Sequence, residues 1–117
     1  MEQTINIDGR KVTFRADGAT PLRYRVEFKR DYFGDIIKMT TVLKGLNDGS
    51  NVDFSELDTS VFSDIIYLLA KTADKNIDDM FEWYASFDNF PLFEVFAELQ
   101  GLLISNMQTT VQKVKKK

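Results

Sequence analysis

The sequence has no cysteine and no histidine, only two prolines, and a single tryptophan among its 117 residues. Without cysteine there are no disulfides and no thiolate metal sites, which fits a reducing cytoplasm. Without histidine the chain lacks the commonest general base and the commonest zinc ligand. The usual routes to catalysis are closed, although an enzyme is not forbidden, and no cofactor is expected. No apolar run reaches the roughly 18 residues that a membrane span needs. The opening MEQTINIDGR shows no charged and then apolar leader, so secretion is not expected.

What is present is enough for a real core: 44% of the residues are apolar, in a length that suits one domain. The net charge of −3 hides an asymmetry. Residues 1–52 hold nine Lys/Arg against seven Asp/Glu, whereas residues 53–98 hold eleven acids against Lys71 and Lys75. Lys113, Lys115, Lys116 and Lys117 then form a basic tail. Uneven charge can simply be a solvated surface. It can also steer the basic front of one copy onto the acidic back of another, and such a contact repeats into a ring or a spiral.

Around Asp8-Gly9 the stretches Ile5-Asn6-Ile7 and Val12-Thr13-Phe14 alternate apolar and polar, which predicts a β-hairpin over 4–15. A four-residue loop, Asp8 to Lys11, sets Ile7 opposite Val12 and Ile5 opposite Phe14, and is preferred to a two-residue turn that sets Ile7 against Arg10. A lone hairpin is marginal in water and needs helices or another chain beside it. Thr20-Pro21 reads as a helix start, with Thr as cap. Leu22, Tyr24, Val26 and Phe28 alternate as in a strand, but Phe28, Tyr32, Ile36, Met39, Leu43 and Leu46 step at helical spacing. One helix over about 21–45 is therefore expected, in which Gly34 costs about 1 kcal/mol relative to Ala unless a neighbour packs closely there. After a turn at Asn47 to Ser50, a helix over about 57–74 is apolar around most of its circumference, the mark of the most buried one. Asp53, Ser55 and Asp58 compete to cap it.

The densest stretch runs from Ile77 to Met107 and holds Trp83, five of the ten phenylalanines and six carboxylates. Ile77, Met80, Phe81, Tyr84 and Phe87 form one helical stripe, and Leu92, Val95, Phe96, Leu99, Leu102 and Leu103 another. Asp88-Asn89-Phe90-Pro91 breaks them apart, because proline suits a first helical turn and not an interior. The expectation is a helical hairpin, with helices over about 77–87 and 91–107, Asn76, Asp78 and Asp79 capping the first. Its aromatics suit either a core or a partner. In sum, a mainly α fold is predicted, a compact bundle of about four helices with a small N-terminal β-hairpin. It forms a single domain over 1–110, followed by a basic flexible tail over 111–117.

These features together, the Asp8-Gly9 hairpin, Thr20-Pro21, Arg23-Tyr24-Arg25 with Phe28, Arg30 and Asp31, the helix IIYLLAKTAD and the segment EWYASFDNFPLFEVFAELQGLL, resemble the tail assembly chaperones of long-tailed phages and prophages of Gram-positive bacteria. The resemblance covers about residues 4–110 and rests on order and pattern. It departs where the family commonly reads Phe-Gly-Arg-Asp and this chain reads Phe28-Lys29-Arg30-Asp31. What it implies is a non-enzymatic protein of the host bacterial cytoplasm, absent from the mature virion. Such a protein forms a homo-oligomer, often spiral, and coats the tape measure protein before the tail tube polymerises. The tail tube protein and a frameshifted longer form of the chain itself are further implied partners; adenine-rich codons for Lys115-Lys116-Lys117 would suit slippage. Client binding is expected at Trp83, Phe87, Phe90 and Phe93, since aromatics give large contact area to a helix laid in a groove. Self-association is expected where Arg23, Arg25 and Arg30 meet Asp78, Asp79 and Glu82 of a neighbour, although the same charges can pair within one chain.

Other classes fit less well. Asp78, Asp79 and Glu82, or Asp88, Glu94 and Glu98, could in principle hold Mg²⁺, but no phosphate loop or nucleophile motif accompanies them. The arginines and lysines of the front half are too few, in a chain of pI near 4.9, for a nucleic-acid binder. The alternative is a small cytoplasmic dimeric adaptor unrelated to phage tails, which would stop growing at the dimer.

Overall fold

Asp8 and Gly9 fold the start of the chain back on itself. In the structure, a computed structural model that describes residues 1–49 and 58–105, strand β1 (Glu2–Ile7) pairs antiparallel with β2 (Arg10–Arg15). Asp8 and Gly9 both take positive φ, 53° and 79°, as a two-residue turn requires. Ile7 therefore lies opposite Arg10, Ile5 opposite Val12 and Gln3 opposite Phe14. The expected four-residue loop is overturned. Both registers differ by two residues and side chains alternate with period two, so the same face is apolar in either. Ile5, Ile7 and Phe14 are accordingly buried.

The single helix expected over 21–45 is two helices, α1 (Thr20–Phe28) and α2 (Tyr32–Asp48). Lys29 breaks them at φ 61°, its N–H closing on the Arg25 carbonyl at 2.9 Å. Asp31 then caps α2 by accepting from the Gly34 N–H at 2.9 Å. Gly34 serves that cap rather than a neighbouring helix: a Cβ there would stand 2.8 Å from the Asp31 Oδ2. A left-handed backbone is what glycine adopts without cost, and here a lysine holds it. Thr20 is also not the cap of α1. Ala19 stands at that position, while the buried Thr20 hydroxyl accepts from the Asp17 N–H at 2.8 Å.

Helix α3 (Ser60–Ala73) is the most buried, with Val61, Phe62, Ile65, Ile66, Leu69 and Ala70 inside. It packs against β2, α1, α5 and α2, and so gives the hairpin the support that two strands alone lack. Its N-cap position is Thr59, which makes no side-chain cap bond. Of the expected caps, Asp58 stands one residue earlier and accepts from the Ser60 N–H at 3.0 Å, and Asp53 and Ser55 lie outside the described residues. Helix α4 (Met80–Ala85) is shorter than the expected 77–87, because Asp79 caps it by accepting from the Glu82 N–H at 3.0 Å. After the expected break, α5 (Leu92–Glu98) follows Pro91, a turn at Leu99 interrupts it, and residues 100–105 are again helical. The end expected at 107 and the tail over 111–117 lie outside the described residues.

The hairpin also reaches across the α4–α5 corner. Asp8 Oδ2 accepts from the Asp88 N–H at 2.9 Å, and Gln3 Nε2 donates to the Glu98 carbonyl at 2.9 Å. Arg10 donates to Ser86 Oγ at 2.8 Å and lays its guanidinium 3.8 Å from the Phe87 ring centroid. These contacts join residues 76 to 95 positions apart. One buried cluster results, running from Ile5 through Tyr24, Tyr32 and α3 to Leu103. Among the described residues no helix is long and apolar enough to cross a membrane.

Candidate functional site

Two regions carry the residues that chemistry marks out. The first is the aromatic corner of α4 and α5. Trp83 packs edge to face with Tyr67, Tyr84, Phe87 and Phe90 at centroid separations of 4.9 to 5.7 Å, the offset geometry that ring quadrupoles favour. Phe62 of α3 meets Phe93 and Phe96 in the same way. The corner is thus mostly interior. Trp83 and Phe87 are each 6% exposed, Phe90 is half-buried, and Phe93 alone is open, at 40%. Of the four residues expected to bind a client, Trp83 and Phe87 are corrected to core, because the hairpin and α3 close over them. Phe81, expected on the inward stripe of α4, is instead 79% exposed. The helix begins at Met80, and with Trp83, Tyr84 and Phe87 turned inward, Phe81 points away.

The tyrosines of this region are held by single bonds into the backbone. Tyr84 donates to the Ser63 carbonyl at 2.7 Å and Tyr67 to the Asp78 carbonyl at 2.6 Å. Burial pushes the Tyr84 phenol well above the usual tyrosine value. Tyr67 is raised too, by burial first and then by the nearby Asp79, Glu27 and Asp78.

The second region is α1 with the loop after it. Tyr24 and Thr20 face the core, which leaves Leu22 and Val26, one helical turn apart, on the opposite side at 69% and 68% exposure. Arg23 and Arg25 flank this ridge and form no ion pair with an acid among the described residues. Arg30 behaves differently. It donates to Asp35 Oδ2 at 2.9 Å, to the Tyr24 hydroxyl at 3.0 Å and to Asp64 Oδ2, and Tyr24 donates to Asp35 at 2.7 Å. The expectation that Arg30 meets a neighbour is therefore corrected: its guanidinium is engaged within the chain, where a planar fork can bridge two carboxylates. Burial lifts the Asp64 carboxyl above its ordinary value and Arg30 opposes that rise. Burial also raises the Tyr24 phenol, with the Asp35 bond adding to it.

Asp78, Asp79 and Glu82 are exposed on the first turn of α4 and its approach, on either side of Phe81. Asp79 is engaged as the cap; the side chains of Asp78 and Glu82 face water. The structure therefore brings together an apolar ridge bordered by Arg23, Arg25 and Glu27 and, separately, an exposed phenylalanine ringed by acids. The ridge is not evident in the sequence, where Leu22 and Val26 alternate with charges in one set with Tyr24 and Phe28. The signal that separates them is the i, i+4 spacing of each pair, which puts Tyr24 and Phe28 on one face and Leu22 and Val26 on the other.

Between β2 and the end of α3 lies a cleft of about 550 Å³, lined among others by Val12, Thr13, Ala70, Ala73, Ile77 and Trp83. Glu2, Arg10, Lys11 and Asp74 also line it, so charges of both signs border its apolar residues.

No protein-family model matches the chain, and neither a curated protein nor a solved structure matches it. What can be inferred of function comes from these surfaces and from the resemblance.

Proposed function

We propose that this chain is a non-enzymatic tail assembly chaperone, which associates with itself and shields a long, apolar, helical client of the tape measure kind in the host bacterial cytoplasm. The observation that carries the reading is the complementarity of its two open patches. Leu22 and Val26 with Arg23 and Arg25 on α1 match Phe81 with Asp78, Asp79 and Glu82 on α4. Apolar residues supply contact, and opposite charges around them set orientation and suppress wrong partners. Two different patches of one chain that fit each other make a heterologous contact, which propagates when it does not close.

The client is then held at the edge of the corner that remains open, Phe93 with half-buried Phe90. Each such contact is weak. Repeated along an assembled coat, the contacts add avidity, and each is lost singly as a growing tail tube displaces the coat. A helical client laid along aromatics is an instance of helix-in-groove recognition.

Light scattering at rising concentration tests the reading. The wild-type chain is expected to grow past a dimer. Arg23→Glu/Arg25→Glu and Asp78→Lys/Glu82→Lys are each expected to stay monomeric alone and to regain growth when mixed, because each restores the other's missing charge. Co-production with a tape measure fragment is expected to keep that fragment soluble, and Phe93→Ser to lessen the effect. A wild-type chain that stays monomeric and leaves the fragment insoluble overturns the proposal, and one that stops at a dimer favours the adaptor.

A further inference from the structure

Helix α5 and the helical residues 100–105 after it carry an outward stripe of their own. Phe93, Ala97, Gly101 and Ile104 step by four, four and three, so they share one helical face, and all four are exposed. Val95, Phe96, Leu99, Leu102 and Leu103 hold the opposite face in the core. A Cβ added at Gly101 would meet nothing within 4 Å, so the space above the stripe is open. Between residues 92 and 105 the only charged side chains are Glu94 and Glu98, both exposed. Neither forms an ion pair among the described residues. Gln3, which donates to the Glu98 carbonyl, and Thr40, which bonds Gln100, bring no charge to this helix.

The complement to this stripe is written in residues 106–117, NMQTTVQKVKKK, which lie outside the described residues. Met107, Val111 and Val114 recur there at helical spacing, and every charged side chain of the segment is a lysine. Asn106 follows the helix at a position where asparagine tolerates the left-handed turn that closes one. Thr109 and Gln112 have the Thr-x-x-Gln spacing of a capping box, which opens one. The residues between, 106–108, match the short loops that join antiparallel helices.

We infer that residues 109–117 fold back as a short antiparallel helix onto the 97–104 stripe of the same chain. That register sets Val111 at Ile104, Val114 at Gly101 and Lys117 at Glu98. The lengths agree: residues 109–117 span about 13 Å as a helix, and Ala97 to Ser105 about 12 Å. So short a helix is unstable alone, and it forms as it docks. Attachment at Ser105 presents the segment to the stripe at an effective concentration in the millimolar range. A second copy would instead lose its free translation and rotation, so the chain's own segment is the occupant. The contact is separate from the α1 and Phe81 patches and does not depend on the chaperone reading.

The chain has no native cysteine, so two-cysteine variants report without background. Gly101→Cys/Val114→Cys is expected to close an intramolecular disulfide, read on a non-reducing gel. Closure should be at least about tenfold faster than in Gly101→Cys/Lys113→Cys, because a disulfide needs Cα atoms within about 7 Å and position 113 faces away from the stripe. The two loops are nearly equal in length, so a coil would close both at one rate. Glu94→Lys/Glu98→Lys is expected to slow closure between 101 and 114 about fivefold, and Lys115→Glu/Lys117→Glu to restore it. A nitroxide on Val114→Cys, with residues 97–104 left native, is expected to broaden the amide resonances of 97–104 and to do so equally after dilution with unlabelled chain. Equal closure rates, or no broadening at 97–104, overturns the inference. So do disulfide-linked dimers in place of the intramolecular product, which would give the stripe to a second copy.

Discussion

The aromatic corner and the outer face of α1 invite opposite readings from sequence and exchange roles in the fold. The corner concentrates aromatics and acids, as an interaction surface does, yet it is mostly core: Trp83 and Phe87 are closed over by the hairpin and α3. In the α1 segment apolar residues merely alternate with charges, yet the helix leaves two aliphatic side chains in water with two arginines beside them. Aromatic density measures how much area a segment must hide, not where it is hidden. The arginines repeat the lesson at close range. Arg30 is bound by three groups, whereas Arg23 and Arg25, a few residues earlier, have no carboxylate among the described residues.

The sharpest way to break this contrast is truncation on both sides. Trp83→Ala is expected to destabilise the fold by about 3–5 kcal/mol in denaturant titration, as loss of a buried ring usually does. Leu22→Ala and Val26→Ala should each stay within about 0.5 kcal/mol of the wild type. Comparable costs at the two places would refute the assignment of interior and surface.

The arginine contrast comes next. Arg30→Met leaves Asp35 and Asp64 without their cation and is expected to cost about 2–3 kcal/mol, less than a fully buried pair because Arg30 keeps a third of its side chain open. Arg23→Met and Arg25→Met should change stability little and alter only association.

Alkaline pH probes the interior by another route. Burial raises the phenols of Tyr24 and Tyr32 above their usual value. Above about pH 10 the unfolded chain loses protons that the folded chain keeps. Stability is thus fully present below that pH and falls as pH rises, by about 1.4 kcal/mol per unit for each phenol. Chemical denaturation between pH 9 and 12 checks the slope, and Tyr24→Phe or Tyr32→Phe should each reduce it by one phenol's share.

The smallest effects refine the junction of the two regions. The buried Tyr32 hydroxyl has no hydrogen-bond partner among the described residues, so Tyr32→Phe is expected to stabilise by up to about 1 kcal/mol. Lys29→Gly, at φ 61°, should add about 0.5–1 kcal/mol by removing the left-handed penalty. A thermal melt of each variant decides.

Local chemistry alone determined the kinds of element: Asp8-Gly9 announced a hairpin, the apolar circumference of α3 a central helix, and Pro91 a break, because turn geometry, period and proline sterics act over a few residues. The second stripe, from Leu92 to Leu103, is legible in the same way and is half-buried or buried throughout. Tertiary structure decided what those rules cannot reach. It set the two-residue register, which preserves the same apolar face as its rival. It divided α1 from α2 at Lys29, a non-glycine residue held left-handed between two helices that share one hydrophobic stripe. It also chose which of Trp83, Phe81, Phe93 and Leu22 meets water. That choice depends on what covers each residue, and the cover comes from chain remote in sequence, as Arg10 of the hairpin lies over Phe87 beside Trp83.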